Sequence, residues 1–550
     1  MKVFRHVALL AGFIAGGLIC ASVKMQAQTS GPEQGQIATG PYRIAGRVVN
    51  ARGGSLLART RVTIADAKIR QNIQFVVTSD DGRFEFHVPA GKFALQGAKR
   101  GFITAAYNQH DQFSTAIVTG AGIDAENLTL RLSPNAVLTG RVLDEFGESV
   151  RNAQIIVYRE NRFSGISRIS RFRGATTDDQ GKYEVTPLDE GTYFVSAKAT
   201  PWYAVHPVSA PEGSTNPPVQ VDPALDVSYP ITYYGDTTET DSATPIPVRG
   251  GDRLEADIHL NPTPALHLLF HVAEGGQVAF PQLQRPSFDG MEDVEPGNIQ
   301  NVSPGVYELT GIAAGRYLVR MPDSSGQLKE PTAVNLTSNQ ELESSAGNST
   351  SKVKVTVKGE STGASPPEIQ IGLRNSKGRA VTSEVDAKGE ANFTDVVPGR
   401  YDVLAGSPNE AYSVERISWD GGATSGRTLN VPAGASLSIT ISLVGGSVTV
   451  EGFAKRDGKG VAGAMVVLIP KNPEANHDRF RRDQTDLDGS FSLFNVSPGS
   501  YTVIAIENGW DLDWAKPAVL THYGRHGQAL IVRTQARGTL RLSQPVTVEK

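Results

Sequence analysis

A pair of glycine turns followed by an aromatic residue recurs five times along this chain of 550 residues. In each copy the second glycine follows the first by nine or ten positions, and the aromatic residue follows the second glycine by two. The glycine pairs are Gly82 and Gly91, Gly181 and Gly191, Gly305 and Gly315, Gly389 and Gly399, and Gly489 and Gly499. Because strand side chains alternate between two faces, this fixed offset places every aromatic ring on the same face. The repeat predicts five copies of one β-hairpin.

The chemistry of the turns supports the hairpin. An aspartate can accept backbone N–H bonds in the first turn, and glycine takes a positive φ without steric cost. After the first of these turns, charged and apolar residues alternate from Arg83 to Val88, which is typical of a strand with one buried face. The residues predicted to build the turns are Asp80, Gly82, Asp178, Gly181, Asp486, Asp488, Gly489, Pro498, Gly499 and Tyr501.

Length and composition favour an all-β chain with several domains. Single hydrophobic cores stop growing at roughly 250–300 residues, so one domain is not expected. The 57 glycines and 32 prolines suit many short strands joined by tight turns. We predict a signal peptide at 1–27, a polar leader at 28–40, module 1 at 41–133, module 2 at 134–262 with a Pro-rich loop, a divergent module 3 at 263–335, a Ser/Asn-rich linker at 336–349, a divergent module 4 at 350–443 and module 5 at 445–550.

The first residues predict export. Lys2 and Arg5 precede an apolar run from Val7 to Ile19, and small and polar residues follow up to Ala27. This order is typical of a secretory signal peptide, and the run is short for a permanent membrane anchor. A lipid anchor on Cys20, the single cysteine, is the minority alternative. We therefore expect the mature chain in the periplasm, at the cell surface or outside the cell, without disulfides.

The modules resemble a known family. Gly140–Arg141–Val142 and Gly452–Phe453–Ala454 begin their copies, and the last copy closes with Pro498–Gly499–Ser500–Tyr501. An opening Gly-x-Val strand, an Asp/Gly turn, an aromatic strand and a Pro-Gly-x-Tyr close resemble carboxypeptidase regulatory-like domains. The resemblance is carried mainly by modules 1, 2 and 5. It implies transthyretin-like (prealbumin-like) Greek-key β-sandwiches with a carbohydrate-binding-like fold, which are accessory rather than catalytic.

Catalysis, cofactors and nucleic acid are not expected. The formal net charge is -4, and no basic stripe is present of the kind that a phosphate backbone attracts. The sequence contains neither a Gly-x-Ser-x-Gly elbow nor a phosphate-binding glycine loop. His271 and Glu274 match half of a zinc carboxypeptidase site, but the preceding residues alternate like a strand and no nearby third ligand follows. We therefore predict no enzyme activity, no metal and no cofactor.

Aromatic residues in loops are the candidates for ligand binding. An exposed tryptophan beside carboxylates can stack on a sugar ring while the acids bind its hydroxyl groups. The alternative is that these rings cover a core, because tryptophan is highly buried on average. The candidate ligand-binding residues are Trp510, Asp511, Asp513 and Trp514 in module 5, and Trp202 and Tyr203 in module 2.

Three functions remain open at this stage. The first is a carbohydrate- or ligand-binding array on the cell surface or in the periplasm. The second is a structural or adhesive spacer that contacts surface proteins, with a stability close to a sum over repeats. The third, an accessory subunit of a peptidase or of an outer-membrane receptor, rests on fold analogy. Solvent-accessible tryptophans in module 5 favour the first function, and buried ones favour the second.

Overall fold

The chain is an all-β array, as predicted. The computed structural model describes residues 37–68, 73–209, 221–271, 280–322, 328, 331–343, 351–359, 368–375, 380–396, 398–407, 412–419, 422–425, 427–474 and 476–550. The predicted signal peptide and most of the leader lie outside these residues. Within them the strands form ten sheets, and no helix has the length and apolar character needed to cross a membrane.

Module 1 packs two sheets around a core of Ile44, Phe84, Phe93 and Leu95. The sheet orders are β4-β1-β8 and β3-β2-β5-β6, with β7 also paired to β5. The strands are β1 (Tyr42–Asn50), β2 (Arg61–Asp66), β3 (Gln74–Val77), β4 (Arg83–Val88), β5 (Gly91–Ala98), β6 (Ala105–Ala106), β7 (Ile117–Thr119) and β8 (Leu128–Leu132).

Module 2 repeats this architecture with one more strand in its first sheet. The orders are β12-β9-β17 and β11-β10-β13-β15, with β18 on β9 and β16 on β13. The strands are β9 (Ala136–Leu143), β10 (Gln154–Asn161), β11 (Arg168–Thr176), β12 (Lys182–Leu188), β13 (Gly191–Lys198), β14 (Val227–Ser228), β15 (Thr232–Tyr233), β16 (Ile246–Val248), β17 (Arg253–Glu255), β18 (Ile258–His259) and β19 (Thr263–Pro264), with 3₁₀ helices at Pro223–Leu225 and Thr240–Ser242. Strands β14 and β19 form a small separate sheet.

Modules 3 and 4 each contain two sheets despite their divergent sequences. Module 3 has the orders β23-β24-β20-β27 and β22-β21-β25-β26, and module 4 has β31-β28-β36-β33-β34 and β30-β29-β32-β35. The strands are β20 (Leu266–His271), β21 (Gln282–Ser287), β22 (Gly290–Val294), β23 (Asn298–Ser303), β24 (Val306–Ile312), β25 (Gly315–Arg320), β26 (Thr332–Leu336), β27 (Gln340–Glu343), β28 (Ser351–Gly359), β29 (Gln370–Asn375), β30 (Ala380–Glu384), β31 (Glu390–Val396), β32 (Gly399–Gly406), β33 (Tyr412–Trp419), β34 (Gly422–Ser425), β35 (Thr428–Val431) and β36 (Ser436–Gly445).

Module 5 joins its two layers through one strand. Strand β45 pairs in parallel with both β37 and β42, so the order runs β38-β37-β45-β42-β39-β40, with β41 and β44 on β37 and β43 on β42. The strands are β37 (Ser447–Arg456), β38 (Lys459–Gly460), β39 (Met465–Pro470), β40 (Arg481–Gln484), β41 (Ser490–Val496), β42 (Gly499–Ile506), β43 (Gln528–Val532), β44 (Arg537–Arg541) and β45 (Val546–Glu549), with helix α1 (Pro517–Gly524) and 3₁₀ helices at His477–Arg479 and Gly509–Asp511.

The glycines of the first turn adopt the backbone conformation expected from the sequence. All five have a φ between +68° and +83°, where a side chain would be strained: Gly82, Gly181, Gly305, Gly389 and Gly489. The aspartates of these turns accept backbone bonds, as in Asp178 from Gln180 N at 2.9 Å and from Lys182 N at 2.8 Å. The turns are therefore equivalent, but the predicted hairpin is wrong. Among the described residues, the two strands that flank the second turn never pair with each other; in module 1, β4 pairs with β1 and β5 pairs with β2. The second turn instead carries the chain from one layer to the other, which lets the apolar faces of both strands meet in the core.

The aromatic residue after the second glycine anchors the second turn as well as the core. The hydroxyl groups of three of these tyrosines donate to the carbonyl four residues earlier: Tyr193 to Asp189 at 3.0 Å, Tyr317 to Ala313 at 2.6 Å and Tyr501 to Ser497 at 2.7 Å. Their rings are buried. The sequence pattern predicts the buried ring, but the hydrogen bond emerges from the structure.

One stretch differs from the predicted boundaries. Residues 340–343, inside the range 336–349 predicted as a linker, form β27 and pair in parallel with β20 of module 3. The pairing supplies the backbone hydrogen bonds that a linker would leave to water. Residues 344–349 of the predicted linker lie outside the described part of the chain. Serine- and asparagine-rich composition alone does not distinguish an edge strand from a linker.

Candidate functional site at the junction of modules 1, 2 and 5

Module 5 lies against module 1 through a buried glutamine. Gln484, at the end of β40, is 1% exposed. Its amide nitrogen donates to the Asn108 carbonyl at 2.6 Å and to Thr115 Oγ1 at 2.8 Å, and its amide oxygen lies 3.0 Å from His110 Nδ1. A buried amide is stable only when its polar atoms are bonded, so Gln484 fixes the position of module 1 on module 5.

A charged pair lies beside this glutamine. Lys92 Nζ of module 1 donates to Asp486 Oδ2 at 2.5 Å and to Ser490 Oγ at 2.6 Å. Asp486 Oδ1 also accepts from the Ala116 backbone at 3.1 Å. Burial raises the pKa of the Asp486 carboxyl, although the Lys92 ammonium opposes that rise. Asp486 belongs to the predicted turn motif, and the structure also gives it this contact between modules.

Arg482 occupies the centre of the junction. Its guanidinium lies 4.7 Å from the ring centroid of Trp514, 5.2 Å from that of Phe113 and 5.9 Å from that of Trp510. It also donates to the Phe163 carbonyl of module 2 at 3.3 Å. Burial lowers the pKa of Arg482. No sequence pattern indicated this role, since arginine side chains are mostly exposed and Arg482 would ordinarily be assigned to solvent.

Trp514 packs against module 2. It is 4% exposed, and Gly165 of module 2 lies so close that a Cβ there would be 2.7 Å from Trp514 Cε2. The neighbouring Asp513 accepts from Ser167 N at 2.8 Å and lies 3.3 Å from Arg162 Nε. The hydrogen bond from Lys516 is the largest cause that lowers the pKa of the Asp513 carboxyl, and the bond from Ser167 N and the charge of Arg162 lower it further. These two predicted site residues therefore hold module 5 on module 2.

Trp510 packs against module 1. Its ring stacks on His110 at a centroid distance of 5.0 Å with an angle of 4° between the planes, and Phe113 lies 5.6 Å away. Its Nε1 donates to the Gly463 carbonyl at 3.1 Å. One face of the Trp510 ring is therefore already covered by His110. These contacts favour the packing alternative, and ligand binding by Trp510, Asp511, Asp513 and Trp514 stays a prediction.

A polar cleft opens beside the junction. It has a volume of about 750 Å³, and all three modules contribute to its walls. Charged and amide side chains dominate the lining, including Arg131, Arg159, Asn161, Asp189 and Asp511, and Trp510 forms part of one wall. Arg159 is held by Asp189 at 3.3 Å and by the Glu190 carbonyl at 3.0 Å. The cleft can offer hydrogen-bond donors and acceptors to a polar ligand.

The second predicted pair lies in a separate loop of module 2. Trp202 is 84% exposed and meets Tyr203 edge to face at 5.9 Å. The Tyr203 and Tyr229 hydroxyl groups both donate to the Glu145 carboxylate. Burial and the Glu145 contact raise the pKa of Tyr203 to about 12. Trp202 and Tyr203 therefore do not form one site with Trp510 and Trp514. A role of this pair in ligand binding stays a prediction.

No cluster of three or more metal-binding side chains occurs in the described part of the chain. His271 lies in β20, where its Nε2 bonds to Glu341 at 2.5 Å. Glu274, the other residue of the half zinc motif, lies outside the described residues. His271 therefore has an ion-pairing partner on the neighbouring strand, consistent with the structural interpretation.

Comparison with known proteins gives distant similarity only. No family model and no curated protein matches the chain, so the resemblance to carboxypeptidase regulatory-like domains remains an interpretation of its motifs. Among solved structures, the Bacillus anthracis TIE protein is 11% identical over 76% of each chain, with a TM-score of 0.17. A streptococcal ancillary pilin is 12% identical over 52% of this chain and 98% of its own, with a TM-score of 0.20. Two B repeats of the Staphylococcus aureus collagen-binding protein are 11% identical over 73% and 99%, with a TM-score of 0.12. At these TM-scores we draw no functional conclusion from the likeness.

Proposed function

We propose that this chain is an exported, non-catalytic scaffold that holds five β-sandwich modules in a fixed arrangement and presents their outer surfaces to other proteins. The observation that carries the proposal is the docking of module 5 on modules 1 and 2. Trp510 and Trp514, two of the three tryptophans among the candidate ligand-binding residues, both take part in that docking. A string of independent binding modules would not need Gln484, Lys92 and Arg482 to join its ends.

The contacts between the other modules support the same function. Arg52 of module 1 pairs with Asp252 at 2.6 Å, and Tyr158 of module 2 donates to Glu292 of module 3 at 3.1 Å. Arg427 of module 4 pairs with Asp478 of module 5. Tyr158 and Arg427 are buried at their contacts, whereas the Arg52–Asp252 pair is partly exposed. Such joints restrict the motion between modules and so favour a defined overall shape.

Small-angle X-ray scattering of the mature chain, combined with a glycan titration, tests the scaffold. We expect a scattering profile typical of a rigid particle and no saturable change in tryptophan fluorescence with soluble polysaccharides. The variant Arg482→Ala should broaden the distribution of interatomic distances, because it removes the group shared by modules 1, 2 and 5. A profile typical of a flexible string, in the unmodified chain, would contradict the proposal.

A second candidate function is the binding of a polyhydroxylated ligand, such as a polysaccharide segment, in the polar cleft. The specific observation is the mixture of amide, carboxylate and guanidinium groups around a space of about 750 Å³, in which Arg159 is held by Asp189 and the Glu190 carbonyl. Groups that are already held in place lose little conformational entropy when a ligand binds. This function requires no stacking on Trp510, whose ring serves as one wall.

Isothermal titration calorimetry with the same polysaccharides tests the cleft. Binding that is weakened at least tenfold by Arg131→Ala or Asp511→Ala, but not by Trp202→Ala, would place the ligand there. Loss of binding only in Trp202→Ala would move the site to the exposed aromatic loop of module 2. Heats that never exceed dilution for any polysaccharide would leave the scaffold as the function.

A further inference from the structure

A histidine between modules 2 and 3 lies between two carboxylates. His267 Nε2 is 2.8 Å from Asp226 Oδ2, and His267 Nδ1 is 2.8 Å from Glu308 Oε1. Asp226 directly precedes β14 of module 2, whereas His267 and Glu308 belong to β20 and β24 of module 3. A neutral imidazole can donate from only one nitrogen. Two ionised carboxylates therefore both receive a hydrogen bond only when His267 carries both protons.

The three side chains are shielded from solvent. The side chain of Glu308 is 4% exposed, that of Asp226 16% and that of His267 19%. The second oxygen of Glu308 accepts from the backbone of Ser209 in module 2 at 2.6 Å. A buried carboxylate that loses its donor is costly, since water cannot replace the lost bond. The protonation of His267 thus matters to the joint between the modules.

A second histidine, His206, packs a segment of module 2 against module 3. His206 Nδ1 lies 3.2 Å from the other oxygen of Asp226. Its ring packs against Gly297 and Gly311 of module 3, where added Cβ atoms would lie 2.1 Å and 2.7 Å from His206 Cδ2. Only glycine leaves room for the ring at these two positions. The segment that carries His206 is therefore inserted into module 3 and shares the Asp226 carboxylate with His267.

Among the described residues, the titratable and polar groups that face His267 come from both module 2 and module 3. On the side of module 2, the titratable groups are His206 and Asp226, and on β24 the group is Glu308. Next to β27, Asn339 accepts from the His267 backbone at 2.9 Å, and Glu341 of β27 is engaged by His271. Burial acts to lower the pKa of His267, but the bonds and charges of Asp226 and Glu308 outweigh it and raise that pKa above its ordinary value.

We propose that Asp226, His267 and Glu308 form a pH-responsive clasp that joins modules 2 and 3 while His267 is protonated and loosens as the pH rises. Because the folded state holds the proton more tightly than the unfolded state, the stabilisation is complete below the ordinary pKa of histidine. It is lost as the pH rises through the raised value. Each unit by which the pKa is raised corresponds to about a tenfold change in the balance between closed and open clasp.

Hydrogen exchange of the full mature chain, followed by mass spectrometry, tests the clasp. Protection of the backbone amides in β20 and β24, corrected for the intrinsic rate, should fall on the order of tenfold per unit of raised pKa between pH 6 and pH 9. The variant His267→Gln should show lower protection that no longer depends on pH in this range. The matched control is His271→Gln on the same strand, whose partner Glu341 lies at the surface, and it should retain the pH dependence of the unmodified chain.

Three results would overturn the proposal. The first is protection of β20 and β24 in the unmodified chain that does not change between pH 6 and pH 9, a result that is informative even if His267→Gln fails to fold. The second is an undiminished pH dependence in His267→Gln. A histidine NMR titration in which no imidazole titrates above the ordinary range would also contradict it.

Discussion

The ammonium group of Lys92 in module 1 lies 2.5 Å from a carboxylate oxygen of Asp486 in module 5, 394 residues further along the chain. The two residues belong to equivalent turn motifs, since Lys92 follows the second glycine of its copy and Asp486 opens the first turn of another. The contact joins one end of the described chain to the other. It turns a linear repeat into an arrangement in which the first and last modules touch.

Removal of this pair should destabilise the docking of modules 1 and 5. Lys92→Met leaves the partly buried Asp486 carboxylate without its cation, and we expect a loss of about 1–3 kcal/mol in the free energy of unfolding. Chemical denaturation monitored by fluorescence measures this loss. The control is Lys354→Met, which breaks the more exposed Lys354–Glu390 pair within module 4 and should cost less than about 1 kcal/mol. Equal losses in both variants would argue against a special role for Lys92.

A methyl group at Gly165 should separate modules 2 and 5. In Gly165→Ala the new Cβ would lie 2.4 Å from Ala515 Cβ and 2.7 Å from the Trp514 ring, at a φ of +83°. We expect a red shift of tryptophan emission as Trp514 meets water. Gly101→Ala is the matched control, because its φ is +82° and nothing lies within 4 Å of the added atom. It reports backbone strain alone and should leave the emission unchanged. A red shift in the control as well would remove the steric explanation.

The tyrosine hydroxyl groups of the second turns should contribute measurably to stability. Tyr501→Phe keeps the buried ring but removes the bond to the Ser497 carbonyl, and we expect a loss of about 1 kcal/mol. Thermal unfolding by calorimetry checks this value. Tyr523→Phe is the control, since the Tyr523 hydroxyl contacts the Lys550 carbonyl at 3.3 Å in an exposed position. A control as unstable as Tyr501→Phe would mean that the hydroxyl at the turn has no particular effect.

Asp483 should make module 5 less stable as the pH rises from about 4 to about 7. Burial raises the pKa of this carboxyl to about 7. Between these values the unfolded chain has released the proton while the folded chain still holds it, so folding becomes less favourable with increasing pH. Asp483→Asn keeps an acceptor for the Ser492 N–H and should raise the melting temperature at pH 8 more than at pH 5. The solvent-exposed Asp511→Asn is the control, and a gain that is the same at both pH values would contradict this assignment.

The class of fold and the repeat follow from local properties of the chain. Alternation predicts the buried faces of the strands around the turns, and the aspartate and glycine positions predict turns that the structure contains. The partners of these strands were predicted wrongly, because pairing depends on strands that lie further away in the sequence. These features depend on residues within about ten positions of one another, so the pattern around Gly489 or Tyr501 is sufficient to identify them. The sequence also separated packing from binding as the two possible roles of Trp510 and Trp514, but it could not choose between them.

Only the tertiary structure shows which modules contact one another and which residues form those contacts. Whether a tryptophan covers a neighbouring module or faces a ligand depends on where that neighbour lies, and no periodicity encodes this position. The contacts of Arg482 with Phe113 and of His267 with Asp226 join residues of different modules. Long-range contacts of this kind depend on the shapes and charges of complete surfaces. The sequence by itself therefore determined the modules, and their packing decided which residues form the joints, the cleft and the clasp.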